Sequence, residues 1–337
     1  MKKNAPFISV IITAYNRKQY LLNAFKSAYN QTLSKDKYEI IVTKNFKDNN
    51  IDTFIKGHGG KLVFFKQGTT GAQWTDVLKY VKGEVLCFLD DDDLFLKQKL
   101  AIIYKLFEEN DELGYVNNAR YYIDENNRRF VKSVNKFEKI ESAFIKQRSL
   151  LKLLLLDIRV PWSNASSISI KKSLLIKYFN QLKKVTYTPD LFLYLISLDS
   201  KLSLMLMGKK LTQYRIHSST SVSFNLYENF KETALKMTYA DLKISKELYK
   251  SFKSTGIKKY LKIRIREKSI DYLFYKCNCR KTVLLNYIKN LPYLIIARPK
   301  LTLLSGLQIL FYIIAPEKFR RFNYMRIKNY LLQIKSN

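Results

Sequence analysis

The apolar pentapeptide Val85–Leu89 (VLCFL) runs without a break into four consecutive aspartates, Asp90–Asp93. Five successive apolar residues with no polar alternation predict a strand covered on both faces, the habit of a parallel sheet. Four adjacent carboxylates cannot follow such a strand into the core, so the strand must end at the rim of the sheet. The same pattern opens the chain. Phe7–Ala14 (FISVIITA) predicts a strand, and Gln19–Tyr29 places Leu21, Leu22, Phe25, Ala28 and Tyr29 at helical spacing. Strands at Tyr38–Thr43 and Leu62–Phe65 and a helical stretch around Trp74, Leu78 and Val81 complete the alternation. This is the sequence of a doubly wound, mostly parallel α/β sheet with helices on both faces.

In such sheets ligands bind outside the carboxyl ends of the strands. The aspartate run lies at one such end, and clustered carboxylate oxygens suit a hard cation such as Mg²⁺ or Mn²⁺. In an extended segment Asp90 and Asp92 face one way, which would let Asp90 hold a ribose or a water and Asp92 the metal. A solvated turn is the plain alternative. The turn Thr13–Arg17 occupies the equivalent end of the first strand, immediately before a helix, where backbone N–H groups suit an anionic or nucleotide ligand. The small-residue loop Gln67–Gly71 follows the third strand, but no Gly-Lys-Ser/Thr follows it, so it is not a Walker A loop.

Taken in order, these segments resemble a family 2 glycosyltransferase of the GT-A fold over residues 6–220. The resemblance rests on Ser9–Arg17 (SVIITAYNR), Tyr38–Val42 (YEIIV), Gly71-Ala72, Lys82-Gly83-Glu84 and Phe88–Asp93 (FLDDDD) followed by Lys99-Leu100. It implies a nucleotide-diphosphate sugar donor, a divalent metal (Mg²⁺ or Mn²⁺) and inverting displacement at the anomeric carbon. Carried over residue by residue, it implies that Ala14, Tyr15, Asn16, Arg17, Asn45, Gly71, Asp90 and Asp91 serve the nucleotide, and that Asp92 and His217 serve the metal. Asp190, in Pro189-Asp190-Leu191 at the start of an apolar helix, would be the general base, because an acceptor hydroxyl needs its proton taken up in the transition state. The plain reading of Asp190 is a carboxylate favouring a helix N-terminus. His217 closes Tyr214-Arg215-Ile216-His217, similar to a Tyr-Arg-X-His ending in the family. The sequence departs from the family after the second strand, where Thr43-Lys44-Asn45 replaces an acidic residue, and at Pro189, which stands where a Glu is usual.

Beyond Gly114 the pattern loosens. Asp124–Arg128 reads as a hairpin tip between Tyr121–Ile123 and Arg129–Val131, and helices are expected around Leu150–Leu156 and Pro189–Leu198. The catalytic domain is expected over residues 1–225, with nucleotide-sugar binding in 1–120 and the acceptor part in 121–225. A helical, basic region is expected over 226–337. Of the net charge of +32, residues 231–337 supply 24 Lys+Arg against 6 Asp+Glu, so this third favours anionic partners. Its apolar run Leu301–Ala315 is too short to span a bilayer, and basic residues flank it, as in an interfacial helix. A core helix or a homodimer interface is the competing reading. The acceptor would then be a glycan or a polyprenyl-linked glycan, with the protein peripheral at the cytoplasmic face of an anionic membrane.

Three cysteines, Cys87, Cys277 and Cys279, make no disulfide framework and point to a reducing compartment. His58, beside the glycines Gly57–Gly60, is expected in a loop, and Met1–Ala14 shows no secretory-leader pattern. Two other classes compete with this reading. A nucleotidyltransferase on a related α/β fold would need a Gly-rich, basic signature that Ala14–Lys18 lacks. A nucleic-acid binder would need aromatics exposed beside its basic residues, whereas most aromatics here fall on apolar faces, so no nucleic-acid partner is expected.

Overall fold

The computed structural model of the 337-residue chain describes residues 7–66, 68–130, 143–145, 164–186, 188–216, 227–276, 280–297 and 299–335. The described residues up to Ile216 form one compact unit and those from Tyr227 a second. The first unit runs β1 (Ile8–Ala14), α1 (Leu21–Tyr29), β2 (Tyr38–Lys44), α2 (Asn49–Gly57), β3 (Lys61–Phe64), α3 (Thr70–Val77), β4 (Val85–Asp90), β5 (Leu94–Phe95), α4 (Lys99–Glu108) and β6 (Leu113–Ile123). It continues through β7 (Ala143–Ile145), β8 (Ile168–Lys171), α5 (Lys172–Lys177), α6 (Phe179–Leu182), α7 (Pro189–Leu198) and β9 (Ser203–Arg215).

These strands make one sheet in the order β3-β2-β1-β4-β8-β6-β9-β5, with β7 on β9. The first four are parallel, and the register sets Ala14 beside Lys44 and Thr13 beside Asp90. The turns after β1, β2 and β4 therefore open on one rim. β8 inserts antiparallel between β4 and β6, and β9 returns parallel to β6. The core forms where α1 and α4 lay Leu21, Phe25, Leu100, Ile103 and Phe107 over Ile8, Val10 and Ile12. Burying each such side chain stabilises the fold by about 1.5–3 kcal/mol.

Three local differences from the sequence expectation have physical causes. The helix around Trp74 stops at Val77, short of Val81, because the chain must return to β4 through Gly83, where a Cβ would sit 2.5 Å from the Ser9 backbone nitrogen. Helix α2 was not expected, since Ile55 is its one fully buried residue; the Asp48 carboxylate caps it, accepting from the Ile51 N–H. His58 follows α2 directly, its ring stacked on Phe54 at 4.1 Å. The hairpin tip at Asp124–Arg128 is present, with Asp124 Oδ1 accepting from the N–H groups of Asn126 and Arg128. Leu150–Leu156 and both Cys277 and Cys279 lie outside the described residues.

The second unit is helical: α8 (Tyr227–Ser251), α9 (Thr255–Lys276), α10 (Arg280–Ala297), α11 (Pro299–Ile314) and α12 (Pro316–Lys335). Its core joins Ile270, Phe274, Val283, Ile309, Tyr312 and Phe319. Arg264 bonds Asp241 at 3.0 Å, and Arg320 donates to the Phe274 carbonyl at 2.7 Å, so charged side chains pin neighbouring helices together. The run Leu301–Ala315 is helical through Ile314, and among the described residues no helix is long and apolar enough to cross a membrane.

Candidate active site

The rim begins with the turn after β1. Ala14 is buried as the last strand residue, and Tyr15 beyond it is half exposed. Asn16 takes a left-handed backbone (φ 52°), which asparagine tolerates better than other side-chain-bearing residues. Its N–H donates to the Asn45 side-chain oxygen at 2.8 Å, and the Asn45 amide donates back to Asn16 at 2.6 Å. This reciprocal pair ties the ends of β1 and β2. From beneath, Trp74 of α3 donates to the Thr13 hydroxyl at 3.2 Å and Gln73 to the Thr43 hydroxyl at 3.1 Å. Gly71 is glycine for a packing reason: a Cβ there would sit 2.0 Å from the Leu182 carbonyl oxygen.

The aspartate run follows the alternation expected of it. Asp91 and Asp93 are buried, while Asp90 and Asp92 are half-buried. Arg17 grips Asp91 through two guanidinium nitrogens and reaches Asp92 at 2.7 Å, so the first turn and the aspartate turn are locked by charge. Burial pushes Asp91 up to about 6 although Arg17 opposes it, and pushes Asp93 up to about 7 with help from the Asp92 charge. Asp90 is held well above the usual carboxylate range, first by burial and then by Asp93, Asp92, Asp91 and Asp190. Those four charges are all negative, so Asp90 stands in a local excess of carboxylate.

Asp190 reaches this rim from α7. Thr188 turns left-handed (φ 45°) just before Pro189, and the Asp190 carboxylate accepts the N–H of Leu191 at 2.9 Å and of Asn164 at 3.0 Å. Burial outweighs these bonds and pushes Asp190 up to about 6, against the opposing charge of Arg120. Asn164, itself left-handed at φ 77°, accepts from the Ser166 N–H at 3.1 Å, and the Ser166 hydroxyl accepts from the Asp90 N–H at 2.9 Å. The segment Asn164–Ser166 thus links the Asp190 carboxylate to the backbone of Asp90 through short polar contacts.

Arg215 closes the far side. Its side chain is fully buried, and its backbone N–H donates to Asp93 at 2.9 Å. The guanidinium donates to the Asp92 carbonyl at 2.7 Å, the Asp124 carbonyl at 2.7 Å and the Asn127 side chain at 2.6 Å, and lies 4.4 Å from the Tyr20 ring centre. One side chain therefore holds the aspartate turn against the hairpin tip. His217 lies outside the described residues.

The family model "Glycosyl transferase family 2" matches residues 9–169, which include every element of this rim except α7 and β9. The chain is 30% identical over 152 residues to an uncharacterised glycosyltransferase of Methanocaldococcus jannaschii, a match covering 42% of this chain and 52% of that protein. The match thus spans about half of that relative's length. In fold it is similar to Staphylococcus aureus TarS 1–349 in complex with UDP-GlcNAc (TM-score 0.54, 15% identity, 93% of this chain and 91% of the other). It is equally similar to the Pyrobaculum calidifontis mannosyltransferase in complex with GDP-Man and Mn²⁺ (TM-score 0.54, 14% identity, 98% and 86%). The expected GT-A architecture is the one found.

Among the described residues no group of three or more His, Cys, Asp or Glu side chains is set as a ligand shell. The donor chemistry of the rim nevertheless fits a hard cation, since Asp90 and Asp92 offer oxygens where negative charge is in excess. Sequence reasoning missed Arg120, Asn164 and Ser166. Arg120 lies on β6, whose run Asn117-Asn118-Ala119-Arg120 broke the apolar pattern; polar residues inside a buried strand are the signal that could have marked it. Lys99 was noted only as a motif residue. It is fully buried, donating to the Thr212 hydroxyl at 3.1 Å and to the Ser166 carbonyl, and burial lowers it to about 7.

Proposed function

We propose that this chain is a glycosyltransferase that moves a sugar from a nucleotide-diphosphate donor to an acceptor hydroxyl with inversion. The observation that carries the reading is Asp190: a carboxylate aimed by two backbone N–H groups, raised to about 6, and within electrostatic reach of Asp90 on the rim. A base poised near neutral pH accepts a proton readily without being protonated beforehand. The acceptor oxygen attacks the anomeric carbon, its proton passes to Asp190, and the bond from that carbon to the diphosphate oxygen breaks with the electron pair leaving on the nucleotide. Tyr15, Asn16 and Asn45 wall the base end, and Arg17, Asp90 and Asp91 shape the ribose and phosphate end. Asp92, with Asp90 beside it and His217 from the following segment, would hold Mg²⁺ or Mn²⁺. When bound, that ion supplies neutralising charge to the departing diphosphate. The nucleotide sugars bound to the two structural neighbours support this donor class.

In this reading the catalytic part is residues 1–225, and residues 226–337 attach the protein peripherally to the cytoplasmic face of an anionic membrane, where a glycan or polyprenyl-linked acceptor is met. Helix α11 supports it. Ile309 and Tyr312 are buried, while Leu307, Leu310 and Ile314 on the opposite face are more than half exposed. On α12, Phe322 and Met325 are exposed on the face that carries Lys318 and Arg321. Apolar side chains among basic ones are the pattern of an interfacial surface. A panel of nucleotide sugars, each with Mg²⁺, Mn²⁺ or chelator, tests the function by thermal shift and donor hydrolysis. One nucleotide family should protect the protein in a metal-dependent way, and Asp92→Ala should remove most turnover without unfolding it. A panel in which nothing binds would sink the donor assignment.

A further inference from the structure

We propose that Lys99 is a positioning residue of the transfer site: it fixes Ser166, which holds the backbone of Asp90 and, through Asn164, the carboxylate of Asp190. The inference rests on the transferase reading above and says what keeps the base and the aspartate turn in one arrangement. Lys99 opens α4, where its N–H donates to the Leu96 carbonyl at 2.9 Å and its side chain is fully buried. An ammonium withdrawn from water is costly, and a methionine would fill the same space without that cost. The hydrogen bonds of this one go to two neutral oxygens, the Ser166 carbonyl and the Thr212 hydroxyl at 3.1 Å, with the Phe95 ring centre 4.0 Å away. Its charge also acts on Asp93.

Three elements converge below the Ser166 carbonyl. The Thr212 hydroxyl of β9 donates to it at 3.0 Å, while accepting from Lys99 of α4 and from the Asn118 amide of β6 at 3.0 Å. The proton count closes, since one hydroxyl gives its single hydrogen to Ser166 and fills both of its lone pairs. Ser166 belongs to the single helical turn Ala165–Ser167, which is too short to be held by a ladder of its own. Its other groups face the site: the hydroxyl accepts the Asp90 N–H at 2.9 Å, and the N–H reaches the Asn164 side chain at 3.1 Å. Asn164 gives its own N–H to Asp190 at 3.0 Å from a left-handed backbone, φ 77°. A left-handed asparagine keeps its place only where the surrounding bonds over-determine it. The donors beneath Ser166 supply that constraint. Removing them should let the aspartate turn and Asp190 drift while the apolar core stays packed.

Donor hydrolysis and amide hydrogen exchange on the full chain test this, with UDP-, GDP-, dTDP- and CDP-linked sugars and Mn²⁺ as the donor probes. Lys99→Met should lower kcat about a hundredfold and Thr212→Val about tenfold, with donor affinity by calorimetry within about threefold of the parent, because misplacement by an ångström costs rate more than binding. Thr212→Ser, which keeps the hydroxyl, should bring kcat back to within about twofold of the parent. In both damaging variants the amides of Asp90 and Asn164 should exchange faster, while those of β1 and β2 exchange as in the parent. If Lys99→Met fails to fold, the Thr212 pair decides. Variants with parental kcat and exchange overturn the inference. Thr212→Ser as slow as Thr212→Val overturns it as well, since lost packing volume would then be the cause. A fall in donor affinity that matches the fall in kcat makes these residues part of the donor pocket instead. A parent that hydrolyses none of the donors removes the transferase reading and this inference with it, whereas a parent that hydrolyses one while the variants match it removes this inference alone.

Discussion

The two units handle charge and apolar surface in opposite ways. In the first, ionisable groups are buried and hydrogen-bonded: Asp91, Asp93, Lys44, Lys99 and Arg215 are all 2% exposed or less. In the second, Arg264 and Arg320 are buried between helices, yet Leu285, Ile288, Leu307, Leu310, Ile314, Phe322 and Met325 lie open to solvent. Buried charge costs free energy unless it is paired, so the first unit has placed its expensive groups where a reaction needs fixed dipoles. Large apolar side chains cost most when left wet, so the second unit has surface suited to covering by another phase.

That contrast can be broken experimentally. The largest effect belongs to Asp190→Asn, which should lower transfer by about 10²–10⁴-fold while donor affinity changes little, because the base acts on the acceptor proton. A comparable loss of donor binding would reassign Asp190 to positioning. Next comes Arg215→Met. Its removal keeps the backbone N–H bond to Asp93 but leaves the carbonyls of Asp92, Asp124 and Glu125 and the Asn127 side-chain oxygen without their guanidinium donor, so urea unfolding should report a loss of about 3–5 kcal/mol. The matched change in the second unit, Arg321→Met, should stay within about 0.5 kcal/mol. Equal losses would erase the distinction between the units.

A pH profile sharpens the same point. Because burial raises Asp190 to about 6, the working deprotonated form is lost as pH falls through that value, so kcat/KM should drop below about pH 6 rather than near an ordinary aspartate's pKa of about 4. Arg120→Leu removes a charge that lowers the Asp190 pKa, so the acidic limb should move to higher pH. A limb that stays near pH 4 in both proteins would separate the base from Asp190. The smallest effect is expected from Leu310→Glu. This exposed position should leave unfolding unchanged yet weaken flotation with anionic liposomes by about tenfold, since it adds a negative charge to an interfacial face. A parent protein that never floats, even at low salt, would make that face a surface for protein partners.

Much of the first unit is legible in the chain because both signals there are local. Continuous apolar runs betray strands buried on both faces, as at Ile8–Ala14 and Val85–Leu89, and the aspartates mark where one of them meets the rim. The alternation that half-exposes Asp90 and Asp92 while burying Asp91 and Asp93 matches the one an extended segment would give, although a turn closed by the Asp93 N–H on the Asp90 carbonyl produces it. Residue identity therefore determined the sheet, its helices and the rim at which chemistry belongs. Only the tertiary structure decided which side chains complete that rim. Arg17 meets Asp91 across 74 positions, Asn164 meets Asp190 across 26, and Arg215 meets Asp92 across 123. Such contacts depend on strand order and register, above all on β8 entering between β4 and β6, and those are settled by packing the whole sheet. The raised acidity constants belong there too. They come from burial and from neighbours brought close by the fold, and a sequence carries neither until it is folded.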